Sequence, residues 1–305
     1  MTLEQLRIFI AVAEREHVTQ AARALNLTQS ATSAAIAALE ARHQTKLFDR
    51  VGRGIVLTEA GHALLGEARA VLARASAAET VLAELTGLKR GTLKIAASQT
   101  VGNYWMPARL AAYRARHPGI SLSASITNTQ TVAEMVREGL ADIGLVEGEV
   151  DDPHLSVRPI ATDQLVLVVS PAHPWANRVA VATVDFPRTA WVVREPGSGT
   201  RAALEAALES SGISFADLQV AVELPTNEAV RAAVEAGAGA AILSSHVTGG
   251  AVLAGALANP HAQLPGRQFR MIRHREHHRT NASRAFEALV DETAASDLDP
   301  ASLTK

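Results

Sequence analysis

Residues 19 to 40 read Thr19-Gln20-Ala21-Ala22-Arg23-Ala24-Leu25-Asn26-Leu27-Thr28-Gln29-Ser30-Ala31-Thr32-Ser33-Ala34-Ala35-Ile36-Ala37-Ala38-Leu39-Glu40. Two helix starts lie in this run. Thr19 is placed to cap a helix over 20–25, with Ala21 and Ala22 small enough for close packing. Asn26-Leu27 makes a tight turn. Thr28 then caps a second helix, from 29 to about 42, whose buried face is Ala31, Ala35, Ile36 and Leu39. Two short helices joined by a turn of a few residues follow the helix-turn-helix plan. Upstream, Leu3, Leu6, Phe9, Ile10 and Ala13 recur at helical spacing and supply a supporting helix. Downstream, residues 47–57 read as two short strands around Gly52 and Gly54, a wing-like hairpin.

Thr58-Glu59-Ala60-Gly61 opens a long helix running to about Lys89. Along it Leu64, Ala68, Val71, Ala75, Ala78, Leu82 and Leu85 recur in alternating steps of four and three, a heptad seam. A helix that packs only on its own domain needs less length, because about 29 residues at 1.5 Å each span about 43 Å. The seam therefore reads as a dimerisation helix over 59–90, between a head over 1–58 and a body over 91–305.

The 305 residues are 48% hydrophobic and 20% charged, enough apolar surface for two or three packed units and too much for a disordered chain. Aromatic residues are only 4%, so the cores rest on Ala, Val, Leu and Ile. With no cysteine, disulfides, thiolate chemistry, iron–sulfur ligation and cysteine zinc sites are excluded. Apolar runs such as 165–169 are far short of a membrane span. The patch over 8–13, with Glu4 just upstream, is too short for a signal peptide. A soluble, cytoplasmic protein without a membrane partner is expected. The net charge of −2 hides an asymmetry: residues 1–90 hold 11 Lys and Arg against 9 Asp and Glu, and the remainder 18 against 22. A weakly basic head on an acidic body suits a DNA reader joined to something else.

From residue 91 apolar strands alternate with helical segments. Strands are expected at 93–97, 121–126, 142–146, 164–169, 190–194, 219–223 and 240–243, and helices at 103–117, 132–138, 200–211 and 227–235. Such alternation implies open parallel sheets covered by helices on both faces. The length is large for one sheet. Two α/β lobes with a ligand cleft between them are expected, lobe I over about 91–162 and 266–305 and lobe II over about 163–265. The tail from Ala294 is polar and expected to fray.

The run Leu6, Phe9, Ala13, Thr19-Gln20-Ala21-Ala22, Leu25-Asn26-Leu27-Thr28-Gln29-Ser30-Ala31, Ser33, Ile36, Leu39-Glu40, Leu47-Phe48-Asp49-Arg50 and Leu57-Thr58-Glu59-Ala60-Gly61 closely resembles the LysR-type transcriptional regulators, without a gap. The helix spacing, the Leu-Phe-Asp-Arg step and the Thr-Glu-Ala-Gly helix opening occur together, which makes the match specific. The rest of the chain resembles that family's linker helix and effector domain. The resemblance implies an α/β protein with a winged helix-turn-helix head of all-α type and a two-lobed, periplasmic-binding-protein-like C-terminal domain. It further implies a homodimer or homotetramer on double-stranded promoter DNA, working with RNA polymerase and answering a small-molecule co-inducer. Neither enzyme activity nor a resident cofactor belongs to that picture. The Ser-Ala-Ala form of the second helix, with Ser98-Gln99-Thr100-Val101-Gly102-Asn103-Tyr104, is similar to a narrower branch. That branch includes regulators of sulfur and sulfite metabolism and of carbon-fixation operons.

The family pattern after the glutamine is Pro-Ala-Val-Ser-Arg-Gln, whereas here it is Ser30-Ala31-Thr32-Ser33-Ala34-Ala35, so one basic phosphate contact is missing. Base readout falls to Gln29, Ser30, Thr32 and Ser33, with Thr19, Gln20 and Thr28 completing the DNA-facing set. Gln pairs with adenine through two hydrogen bonds, and Ser or Thr serves either base type or a phosphate. Arg42, Lys46, Arg50 and Arg53 against Asp49 supply the positive charge, with Arg50 and Arg53 as the wing contacts.

In the body, Ser98-Gln99-Thr100 stands between a strand and a helix, where hydroxyls and free helix N–H groups form a small anion site. Taken alone, ordinary N-capping explains it better. Glu195-Pro196-Gly197-Ser198-Gly199-Thr200-Arg201 repeats the arrangement in the other lobe, its glycines letting backbone N–H groups approach a ligand. It is neither a phosphate loop, a dinucleotide fingerprint nor a hydrolase elbow. Asn128-Thr129 and Glu147 line the same cleft edge. The expected effector is a small oxyanion or anionic metabolite held by Ser98, Gln99, Thr100, Asn128, Thr129, Ser198, Gly199 and Thr200, with sulfite the favoured identity from the branch resemblance. No arginine or lysine is needed for a small, weakly held anion. Glu147 repels an anion at short range. It therefore either accepts a hydrogen bond from a protonated ligand such as bisulfite or orients the hydroxyls from behind.

The segment 267–284 carries six Arg against one Glu. His274 and His278 would make a metal pair on a helix, but 268–272 reads as a strand, and a solvated or subunit-contact face is expected there. The rival classes are an enzyme and a two-lobed small-molecule-binding protein. Against the enzyme, neither a nucleophile–base pair nor a metal-ligand cluster with proper spacing is present and a helix-turn-helix is superfluous; against the binding protein stands the expected lack of a signal peptide.

Overall fold

A computed structural model of the chain describes residues 1–52, 54–85 and 91–297. Arg53, the expected helix end at Lys89 and the end of the tail lie outside the described residues, as do the side chains of Leu85 and Ala294. The chain forms two compact units, a head and a body.

In the head, α1 (Leu3–Arg15) opens on a capping box: Thr2 Oγ1 accepts the Gln5 N–H, and the Gln5 side chain accepts the Thr2 N–H. It buries Leu6, Ile8, Phe9, Ala11, Val12 and Ala13, while Leu3 stays exposed. The next helix, α2 (Val18–Ala24), is capped by His17 and not by Thr19. The His17 ring nitrogen accepts the Gln20 N–H at 3.4 Å, which leaves Thr19 inside the helix. Asn26 turns the chain in the left-handed region, φ 56°. Thr28 caps α3 (Gln29–His43), its hydroxyl accepting the Ala31 N–H at 3.2 Å.

The buried face of α3 is Thr32, Ile36, Leu39 and Glu40, and Ala31 is exposed. Ala35, Ile36 and Leu39 face the core as expected, whereas apolarity alone misplaced Ala31 and missed Thr32 and Glu40. Thr32 satisfies its hydroxyl locally by donating to the Thr28 carbonyl at 3.0 Å, so it is buried at little cost. The wing is the antiparallel pair β1 (Phe48–Val51) and β2 (Gly54–Leu57). Then α4 (Glu59–Leu85) starts under a Thr58 hydroxyl that accepts the Gly61 N–H at 3.0 Å. Leu6, Phe9, Val12, Ile36, Leu39 and Leu47 form the core of the head, each contributing roughly 1.5–3 kcal/mol by burial. The heptad seam divides along α4. Leu64 and Ala68 pack on this core, Ala68 being 1% exposed, whereas Val71 is 40% and Leu82 65% exposed.

The body begins with β3 (Gly91–Ser98), a π-helical turn (Val101–Trp105), α5 (Met106–Arg116), β4 (Ile120–Thr127), α6 (Thr129–Arg137), β5 (Ile143–Glu147) and β6 (Leu155–Asp163). It continues through β7 (Leu165–Val168), β8 (Ala190–Arg194), α7 (Gly199–Glu209), β9 (Gln219–Leu224), α8 (Asn227–Glu235), β10 (Ala241–Ser244) and α9 (Ser245–Leu253). The chain returns by β11 (Arg267–His274) and ends on α10 (Asn281–Asp297).

The first lobe is a sheet in the order β4-β3-β5-β11-β6. It is mixed and not parallel: β3 runs parallel to β4 and β5, while β11 is antiparallel to β5 and β6. The reason is connectivity, because β6 leaves this lobe and β11 re-enters it beside the departing strand. In the second lobe β8 and β9 are parallel, β7 and β10 antiparallel, and a bridge between Trp191 and Ala240 joins the two pairs. Leu93, Ile95, Tyr113, Phe269 and Phe286 fill one face of the first sheet, and Val132, Val136 and Ile272 the other. Trp175, Phe186 and Trp191 form the aromatic core of the second lobe. Among the described residues no helix is long and apolar enough to cross a membrane.

Candidate functional site

The outward surface of α3 carries Gln29, Ser30 and Ser33, all exposed, with exposed Thr28 at its start and exposed Gln20 on α2. Thr28 and Ser30 share a hydroxyl hydrogen bond of 3.1 Å. Arg50 projects from the wing into solvent, and Thr19 is half-buried. Thr32 belongs to the core and presents nothing at this surface, which corrects its assignment as a base reader. The reading surface is therefore short, polar and uncharged along α3, with positive charge on the wing. Such a helix fits a major groove, and the wing suits phosphate contact.

The second candidate region lies where the two lobes of the body meet. At the ends of β3 and β5, Ser98, Thr100 and Glu147 converge in full burial. The Ser98 hydroxyl is hydrogen-bonded to the Glu147 carboxylate and accepts the Glu147 N–H at 3.1 Å. Thr100 Oγ1 donates to the other carboxylate oxygen at 3.2 Å. A carboxylate only accepts, so the protons of both hydroxyls point at Glu147. Thr129, at the start of α6, donates to the Glu147 carbonyl at 2.8 Å. From the second lobe Gly199 abuts the same strand end. A Cβ there would fall 2.1 Å from the Glu147 carbonyl oxygen, so only glycine lets α7 approach this closely.

Sequence reasoning did not anticipate the cations. Among the described residues two arginines are buried, and both reach this region. Arg194 ends β8, chelates Glu195 at 2.7 and 2.8 Å, and donates to the Asn227 side chain. Asn227 in turn donates to Thr100 Oγ1 at 3.0 Å, joining the lobes. Arg267, at the start of β11, pairs with Asp163 at the end of β6 and donates to Thr200 Oγ1 at 3.1 Å. It is thus not part of a solvated basic face. Asp163 also accepts from Ser244 at 2.6 Å. The one signal in the sequence was a charged residue closing an apolar strand, as Arg194 does.

Each arginine is matched by its own carboxylate, whereas Glu147 has only hydroxyl partners among the described residues. Burial by itself would raise the Glu195 carboxyl. The Arg194 hydrogen bonds and charge, with the Asn128 amide at 3.2 Å, outweigh it and hold Glu195 below the ordinary range. Gln99 bridges the lobes through the Pro225 carbonyl and the Asn227 N–H, at 2.7 and 3.0 Å. Asn103 and Tyr104 do so through Glu228, at 3.2 and 3.1 Å. Ser198 caps α7, accepting the Thr200 N–H at 3.2 Å. His274 closes a strand and stacks on His277 at 3.6 Å, so the histidines at 274 and 278 share no helix face.

Residues 3–62 match the bacterial regulatory helix-turn-helix proteins of the lysR family, and residues 86–295 match the LysR substrate binding domain. The second match alone spans more than half of the chain. The chain belongs to the LysR family of transcriptional regulators. The LysR-type regulator is 36% identical to the uncharacterized HTH-type transcriptional regulator YeiE of Escherichia coli K12, over 94% of this chain and 96% of YeiE. It is 34% identical to the HTH-type transcriptional regulator CysL of Bacillus subtilis, over 81% of this chain and 82% of CysL. Full-length CbnR, solved with its target DNA, shares the fold at a TM-score of 0.67 and 23% identity, over 96% of this chain and 100% of that one. This LysR-type protein is a DNA-binding regulator with an effector-binding domain.

Proposed function

We propose that the regulator reads a pseudo-palindromic operator as a homodimer or dimer of dimers and is switched by a small oxyanion that keeps a proton, bisulfite being the favoured species. The observation that carries the effector class is the pairing of the Ser98 and Thr100 hydroxyls with Glu147. With their protons so engaged, these hydroxyls offer lone pairs, and a ligand seated on them must itself donate. Each negative charge of an oxyanion 4 Å from a carboxylate meets a repulsion of about 4 kcal/mol at an effective dielectric of 20, so a dianion meets about 8 kcal/mol. A retained proton removes one of those charges and gives the site a hydrogen bond to accept. The α7 start, Ser198 to Thr200, adds the positive end of a helix, and Asn128 and Gln99 stand at the rim.

On the DNA side, Gln29, Ser30 and Ser33 read bases, with Gln20 and Thr28 beside them, and Arg50 holds phosphate. CbnR on its target DNA supports this use of the fold. The exposed seam residues Val71, Ala78 and Leu82 of α4 supply the dimer contact. Work beside RNA polymerase in the cytoplasm, without an enzymatic step, completes the reading. Calorimetric titration of the full-length protein with sulfite, sulfate and phosphate between pH 6 and 8 tests the effector class. Sulfite binding that tightens as pH falls, and weakens at least tenfold in Thr100→Ala, is expected. Sulfate binding as tight as sulfite at every pH would overturn it.

A further inference from the structure

Residues 46–48, between α3 and the wing, are gripped from two sides. From α3, the Glu40 carboxylate accepts the Leu47 N–H at 2.9 Å, the Phe48 N–H at 3.3 Å and the Lys46 ammonium at 2.8 Å. From the start of α4, the Thr58 hydroxyl donates to the Lys46 carbonyl at 2.8 Å, and the Thr58 N–H donates to the Leu47 carbonyl at 3.0 Å. Gly61 closes the grip. A Cβ there would lie 2.2 Å from the Leu47 carbonyl oxygen, so the first turn of α4 can sit against this segment only with glycine.

Glu40 is itself buried, which alone would raise its carboxyl; the Lys46 and backbone N–H hydrogen bonds outweigh that and hold it low. The neighbouring residues of α3, Ala37, Ala38 and Ala41, bring no polar group to these backbone donors. Leu47 is buried at the same point, in the core of the head. A single short segment is thus tied to α3, to β1 and to α4.

We infer that Glu40 is a positioning residue for operator recognition, which fixes the distance between the reading face of α3 and the wing through Lys46, Leu47 and Phe48 and passes the placement of α4 to both. It touches no DNA. It is buried on the same side of α3 as Gln29 and Ser33, about three and two turns further along, and the segment it holds joins the reading helix directly to the wing. Specific binding needs both parts on their marks at once, whereas binding to phosphates alone needs neither. Loss of the carboxylate should therefore separate specific from non-specific affinity. The inference rests on α3 being the DNA-reading helix.

The test uses the full-length protein, a duplex selected from a random pool by the wild type, and mixed-sequence duplex DNA of equal length. Glu40→Ala should weaken binding to the selected duplex tenfold or more. Binding to mixed DNA should stay within twofold, and footprint protection at the wing position should fade. Glu40→Gln keeps one carbonyl acceptor for the two N–H groups and should recover most of the loss. Thr58→Val, which releases the segment from the opposite side, should give a similar split, and its combination with Glu40→Ala should be less than additive. Selected-duplex binding within twofold of wild type in Glu40→Ala would overturn the inference. So would an equal loss on both DNAs accompanied by loss of helical signal, which is mere unfolding. Gln29→Ala separates the two levels. If it leaves operator preference unchanged, the assignment of α3 fails; if it relaxes preference while Glu40→Ala does not, only the positioning role fails.

Discussion

Asn227 on the second lobe gives its amide hydrogen to the Thr100 hydroxyl on the first, 3.0 Å away, while its carbonyl takes a hydrogen from Arg194. One side chain thereby connects a buried cation of one lobe to the hydroxyl–carboxylate cluster of the other. Asn227→Ala leaves a guanidinium N–H and a hydroxyl lone pair without partners in a buried site, a loss of about 1–3 kcal/mol. Calorimetric melting of the full-length protein should show a lower midpoint, and sulfite should stabilise the variant less than the wild type. An unchanged midpoint would show that the lobes do not depend on this link.

The exposed and buried faces of α3 should separate in a binding assay. Gln29→Ala or Ser33→Ala should flatten the ranking of single-base operator variants, at roughly 1–3 kcal/mol for a bidentate contact. Thr32→Val, inside the head, should leave the ranking intact. Arg50→Ala should weaken all duplexes alike and lower the logarithmic salt slope by about one.

Along α4, position decides the phenotype. Leu82→Asp and Val71→Asp alter exposed residues and should yield smaller species in sedimentation velocity with the head still folded. Ala68→Asp places a charge in the head core and should lower its melting midpoint by an amount worth several kcal/mol. If Leu82→Asp sediments as the wild type does, the helix does not carry the dimer.

Glu195 predicts a pH dependence. Its folded carboxyl titrates below the unfolded one, so the stability it contributes is complete above the unfolded value of about 4.3 and is lost as pH falls through the lower folded value. The difference in melting midpoint between wild type and Glu195→Gln should be constant around neutrality and shrink in acid. A difference that grows as pH falls would reverse the assigned sign.

The head was legible to within a residue or two because local chemistry sets it: Thr28 caps α3 as its position suggested, and the turn falls at Asn26. Misreadings came where two groups compete. His17 outbid Thr19 for a cap, and Thr32 entered the core because it bonds its own helix backbone. In the body, strand alternation placed β8 and α8, but β6 was hidden by Arg158 and Pro159 at its middle. The cleft was half legible. Ser98, Thr100, Thr129, Glu147 and Gly199 share one neighbourhood, whereas Arg194, Asn227 and Arg267 come from distant strands and a helix start that no local pattern connects. Pairing of β11 with β6 alone brings Arg267 to Asp163.

The turn Val101–Trp105 is π-helical, with its hydrogen bonds reaching one residue further than in an α-helix. Removing any one residue from it would let the segment relax into ordinary helix and swing what lies beyond by about 100° about the axis. With Val101 or Gly102 removed, Asn103 and Tyr104 would lose their shared hold on Glu228 although both side chains were kept. In descendants of this chain, single-residue insertions and deletions at this point should alter lobe closure more than substitutions do, so the spacing between Thr100 and Met106 is itself an inherited functional character.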